Sequence, residues 1–241
     1  MSRYTNAASI FSGVPPQVSE VSPSHNLGTK METSDGRTFR YVKAGTSALA
    51  VGDLIQSSAE DTAVQGLTPA VTAAGATTLT TTSTVTVTVD EYAGGYVIVT
   101  ITPGLGQILR IKSHAAATAA AVTLTLEDPV QVALTATSRI DLVRDPYNGV
   151  IQNPATASSS PVGVAVNDIT AAYYGWIQTG GIASVKAQGA LTVGNLVVAS
   201  NGTAGAIENA VNASTEAQAP VGIAITGVAT TDCGAVKLIL D

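Results

Sequence analysis

One stretch of this chain is written twice. "SSSPVGVAVNDIT" (Ser158–Thr170) returns as "QAPVGIAITGVAT" (Gln218–Thr230), with Pro220 following Pro161 by 59 positions (220 − 161) and the next five residues matching in kind. A second phrase is echoed as well. "VKAGTSALAVGDLIQSS" (Val42–Ser58) is answered by "VKAQGALTVGNLVVAS" (Val185–Ser200), where Leu49, Val51, Gly52 and Leu54 match Leu191, Val193, Gly194 and Leu196 at an offset of 142 (194 − 52). Internal repetition of this kind reports architecture. Gly52 and Gly194 permit a tight turn, and Asp53 and Asn195 can hydrogen-bond its backbone. In the other phrase proline opens a strand, and the glycine two positions later allows a close approach of backbone. Both phrases belong to one recurring β unit, used at least partly twice.

Between the copies the texture changes. From about Leu67 to Val150 threonine alternates with valine, most plainly in "TVTVTVDEYAGGYVIVTI". Val85, Val87 and Val89 share one face, then Val97, Val99 and Ile101 repeat the arrangement after a Gly-Gly turn, so a β-hairpin is predicted there. "GQILRIKS" and "AAVTLTLEDPV" supply further strands, and the alanine-rich "HAAATAAAV" between them lacks the large apolar residues of an amphipathic helix and reads as a loop. Residues 1–36, polar and rich in proline, read as an extended arm. The chain is therefore expected to be all-β, a β-sandwich or β-barrel-like domain built from recurring short-strand units. Its map is an N-terminal arm (1–36), a discontinuous scaffold (37–66 plus 151–241) and an inserted β domain (67–150).

Composition narrows the function. Only 12% of the 241 residues are charged while 45% are hydrophobic, so the surface is made largely of uncharged side chains and suits a protein packed among neighbours. A net charge of −6 with scattered Lys and Arg argues against nucleic acid as a partner. No stretch has the length of a membrane helix, and the first residues lack the apolar core of a signal peptide. Cys233, the one cysteine, excludes an intrachain disulfide and reads as a small buried residue of a late strand.

Convergent chemistry is scarce. His25 and His114 have no metal-ligand neighbours at useful spacing and read as solvated loop residues, and no cofactor is expected. The pairs Glu60-Asp61, Asp90-Glu91 and Glu127-Asp128 sit at strand ends, where adjacent side chains point to opposite faces, so none is itself a catalytic dyad. Asp141, Asp145 and Asn148 could form a weak Ca²⁺ site but lack a recognised spacing. "TPGLGQ" and "QTGGIAS" read as hairpin turns rather than phosphate loops. The richest aromatic cluster is Tyr173, Tyr174 and Trp176. It is either a core anchor that adds a subunit contact or an exposed face suited to a sugar or protein partner.

With these residues laid out, the chain resembles the capsid decoration or cement proteins of tailed-bacteriophage heads. The resemblance lies in "DGRTFRYVKAG" and "ALAVGDLI", in "VTVDEYAGGYVIVT", "GQILRIKSH" and "VTLTLEDPV", in "DLVRDPYNGVI", and in "PVGVAVNDITAAYYGWIQTGG" with the final "APVGIAITG". It implies a non-enzymatic virion protein, made in the host cytoplasm, that sits on the outer capsid surface as a homotrimer and clamps neighbouring major capsid protein subunits. Under that reading the N-terminal arm, including Pro15 and Pro16, orders on contact with capsid or sister subunit, and Tyr173, Tyr174 and Trp176 are the other candidate contacts. The alternative is a carbohydrate-binding or adhesin-like β module displayed on a particle, taking a host-surface glycan on the same aromatic segment. A polysaccharide-degrading enzyme would need carboxylates converging across strands.

Overall fold

A computed structural model describes residues 10–12, 17–210, 219–228 and 232–241, with side chains from 17 onward. Pro15 and Pro16 lie outside the described residues. The fold is all-β. Its strands are β1 (Ile10–Ser12), β2 (Ser19–Glu20), β3 (Lys30–Thr33), β4 (Thr38–Ala44), β5 (Leu54–Gln56), β6 (Thr78–Thr82), β7 (Thr86–Val87), β8 (Tyr96–Ile101), β9 (Ile108–His114) and β10 (Ala117–Thr118). They continue as β11 (Ala121–Leu126), β12 (Arg139–Val143), β13 (Asn148–Gln152), β14 (Pro161–Ala165), β15 (Tyr174–Lys186), β16 (Leu196–Ala199), β17 (Ile207–Asn209), β18 (Pro220–Ala224) and β19 (Cys233–Ile239). Two compact units result, one of Met1–Ala59 with Pro146–Asp241 and one of Glu60–Asp145.

The first unit is a pair of small closed barrels that share one long strand. In the first, β4, β13, β5, β14 and β15 are joined in that order and β15 closes back onto β4. In the second, β15 pairs β19, then β18, β16 and β17 follow. That ring closes through the parallel bridge of Ile207 to Ala187, with the Gln188 N–H donating to the Ile207 carbonyl at 2.9 Å. The 13-residue β15 thus ends one barrel with its first half and begins the next with its second.

The two rings match bond for bond. Gly163 faces Ile55 and Val164 faces Leu54, as Gly222 faces Val197 and Ile223 faces Leu196. The Gly52 N–H donates to Ala165 at 2.9 Å, and Gly194 donates to Ala224 at 2.8 Å. Both glycines hold positive φ, +83° and +84°, a conformation that side chains with a Cβ adopt at a cost. The cores repeat too. Val42, Ala44, Leu49, Ile55, Val150, Val162, Ala165, Ile169 and Ile177 fill the first barrel. Val185, Ala187, Leu191, Val197, Ile207, Val221, Ala224, Val228 and Val236 hold the corresponding places in the second.

This correspondence also locates the insertion. The connection from β16 to β17 in the second barrel is the short run 200–206, while the equivalent connection from β5 to β13 in the first carries the whole of Glu60–Asp145. Its boundaries lie earlier than the expected 67 and 150. Residues 148–152 are needed as β13, wedged between β4 and β5.

Within the inserted unit, β12, β8, β9, β11 and β6 form a five-stranded sheet. Its two edges are bridged by one segment, since Leu67 pairs Ile140 of β12 and Pro69 pairs Thr81 of β6. Leu79, Val97, Val99, Leu109, Ile111, Val122, Leu124, Leu126 and Ile140 face inward. The threonines between them point out, as the period-two pattern requires. The predicted hairpin of the Thr/Val run with β8 does not form. A turn at Asp90, with φ of 55°, and the following tight turns end the run, so β7 pairs β10 while β8 pairs β9 and β12.

Residues 17–36 are not a free arm. β3 pairs β4, β2 pairs the start of β15, and Leu27 and Met31 pack on Phe39, Tyr41 and Trp176. The segment is a lid on the outer face of the first barrel.

Candidate functional site

The aromatic segment lies under that lid. Strand alternation sends Ile177 into the first barrel and Trp176 out of it, against Tyr41 on the neighbouring strand. The Trp176 and Tyr41 rings meet edge to face with centroids 5.1 Å apart, and Tyr174 stacks on Tyr41 at 6.0 Å. His25 completes the group, 5.3 Å from each of Tyr41 and Trp176, and so is a packed residue rather than the solvated one expected. The Tyr41 hydroxyl accepts from the Ser24 N–H at 3.1 Å and donates to the Glu20 carboxylate.

Burial pushes the Tyr41 phenol up to about 12, with the Glu20 hydrogen bond adding to it. Glu20 is also buried enough to oppose its ionisation. The hydrogen bonds from Ser24 and Tyr41 outweigh that and leave its pKa below the ordinary value.

Trp176 is 4% exposed, so its ring offers no surface to a sugar or a capsid, and the expectation of a contact there is corrected. Tyr173 and Tyr174 are half-buried, Tyr173 against the first core and Tyr174 beside Lys43, whose ammonium lies 5.6 Å from its ring centre. The aromatics anchor the lid.

Acidic side chains are spent on turns. The Asp61 carboxylate accepts from the Ala63 N–H at 3.0 Å, Asp90 from His114 at 3.0 Å, and Asp141 from Gly66 at 2.7 Å. Glu91 accepts from the Thr88 N–H at 2.7 Å and pairs with Arg144, while Glu127 lies 3.5 Å from Arg110. His114 is buried, accepting the Tyr92 N–H at Nε2 (2.9 Å) with Nδ1 3.0 Å from the Ala115 carbonyl, again unlike the solvated residue expected.

Among the described residues no group of three or more His, Cys, Asp or Glu could hold a metal ion, and of the residues considered for Ca²⁺, Asp141 accepts from the Gly66 N–H at the turn before Leu67. The depression on the insert lined by Leu105, Gln107, Ile108 and Gln131 brings no acid, base or nucleophile to its wall. Cys233 is exposed at the start of β19, not buried.

The surface that sequence reasoning missed is apolar. On the second barrel Leu196, Ile223, Ile225, Ile182 and Ile239 are all exposed. Strand periodicity marks them as outward residues, which in an antiparallel sheet are ordinarily polar. Comparison with protein-family models, curated proteins and solved structures finds no match to this chain.

Proposed function

We propose that this chain is a structural virion protein that binds the exterior of an icosahedral phage head as a homotrimer and stabilises it by clamping neighbouring major capsid subunits. The observation that supports the reading is the outer face of the second barrel, an exposed apolar strip of Leu196, Ile223, Ile225, Ile182 and Ile239 of the kind through which copies of a chain assemble. Such a surface binds by area and shape, and many copies around symmetry axes make weak contacts add by avidity. The low charge keeps the desolvation cost of those contacts small. Incubation of the purified protein with undecorated heads, followed by sedimentation and thermal challenge, tests it. Co-sedimentation with a raised head-disruption temperature is expected. Absence of binding at saturating protein overturns it.

A further inference from the structure

The first barrel shows what belongs on the exposed face of the second. In the second barrel one row runs across four strands in register: Leu196 beside Ile223, Ile223 beside Lys237, and Lys237 beside Ile182. The corresponding row in the first barrel is Leu54, Val164, Gln178 and Phe39, paired in the same way. Those four are 0%, 0%, 2% and 0% exposed. Leu196, Ile223 and Ile182 are 43%, 42% and 57% exposed, with Ile225 at 39% and Ile239 at 49% beside them.

The difference lies in the cover. Leu54 and Val164 are built into the core of the second barrel, and Phe39 is buried in the cluster it forms with Tyr41, Trp176 and Met31, its partner across the β3–β4 pair. The same face of the same fold is therefore buried against other parts of the chain in the first barrel and exposed in the second.

We propose that the Leu196–Ile223–Ile182 face is a subunit interface, filled by a second copy of this chain. This deepens the assembly reading above and rests on its premise that the chain works among its own copies. The sequence of the covered row supports the occupant: Val164 and Ile223 are both β-branched, and Leu54 and Leu196 are identical. The polar members are equivalent as well. Gln178 is accommodated in the covered row by donating to the Gly180 and Ile182 carbonyls, both at 2.9 Å. Lys237 can lay its stem on the apolar strip and carry its ammonium to the rim. An exposed apolar patch rimmed by polar groups is the usual form of such a contact.

Sedimentation velocity over a concentration series, with hydroxyl-radical labelling of the side chains, tests this. The expected result is self-association with Leu196, Ile223 and Ile182 protected in the associated form. Ile223→Glu should weaken association by about tenfold or more by placing a charge in the buried strip. Ile223→Thr keeps strand propensity if the glutamate variant fails to fold, and is expected to weaken association in the same direction. Val71→Glu, on the inserted unit, should associate as the parent does.

A parent that stays monomeric with the face fully labelled overturns the proposal, as do Ile223 variants that associate normally. So does a face protected only by added heads, which assigns it to the capsid. Parallel head-binding assays keep the two readings apart. An assembling protein that ignores heads removes head binding and leaves the interface, and a monomer that binds heads removes the interface and the trimer and leaves head binding.

Discussion

Gly222 shows how tightly the duplicated strand is held. A Cβ built on it would lie 2.3 Å from the Lys237 carbonyl oxygen and 2.8 Å from a Val236 methyl, while at Gly163 the nearest atoms are an Ile177 methyl at 2.7 Å and the Gln178 carbonyl at 2.9 Å. Both glycines are needed for close approach between strands, as the Pro-Val-Gly phrase suggests. Gly222→Ala must push backbone and is expected to cost about 1–3 kcal/mol in denaturant unfolding, more than Gly163→Ala, whose nearest obstacle is the end of a side chain.

Ionisable residues set the pH limits. The Tyr41 phenol, raised by burial from 10.0 to about 12, contributes its full stability below pH 10 and loses it as the pH rises toward 12. Tyr92, also raised to about 12 chiefly by burial, acts alike in the inserted unit. Denaturation as a function of pH, with tyrosinate absorbance, should show two late-titrating tyrosines and a steep alkaline loss.

Asp241 has the opposite sense. Burial opposes its charge, but hydrogen bonds from Lys30 and Arg40 prevail and hold its pKa below 3.8. Its contribution is present above that value and disappears as the pH falls through the lower folded pKa. Asp241→Asn should flatten that acid limb.

At the scale of elements, the comparison of equivalent loops makes the insertion a separable piece. The β16–β17 connection closes with residues 200–206 alone, and the inserted unit has a core cluster of its own. In the first barrel Ser58 lies 3.8 Å from where a Gly149 Cβ would stand, so the two ends of the excision are near each other. Replacing Glu60–Asp145 with a short Gly/Ser turn is expected to leave a folded β protein with one cooperative denaturation. A product with the circular dichroism of an unfolded chain would show that the insert is required.

The repeat behind this argument was legible in sequence because its hydrogen-bonding register is reproduced residue for residue, so the same side chains were needed twice. Ring closure was not legible. It depends on long-range pairing, of β15 with β4 in the first barrel and of Ala187 with Ile207 in the second, which leaves no period in the sequence. The pairing of β7 with β10 is not legible either, because strand alternation does not tell which strand lies alongside. Tyr173, Tyr174 and Trp176 were found as a cluster, but whether their face is covered depends on residues 17–36, whose short strands carry little pattern of their own.

For the whole molecule, low charge density and repeated apolar faces decide how it should respond to solvent. Of the 241 residues 12% are charged, and the exposed row on the second barrel contains one ion, Lys237. Were association driven by ion pairs, raising sodium chloride would screen it over a distance of about 10 Å at 0.1 M and dissociate the copies. An interface of leucine and isoleucine behaves otherwise. Its free energy comes from apolar area removed from water, at roughly 25 cal/mol per Å², and salts excluded from protein surfaces strengthen it. Sodium chloride should therefore leave the sedimentation distribution nearly unchanged, and ammonium sulfate below its precipitating range should shift it to the associated form. Cooling should loosen the assembly, because apolar burial weakens as temperature falls. Dissociation by moderate sodium chloride would point to scattered charges as the contact and away from the strip defined by Leu196, Ile223 and Ile182.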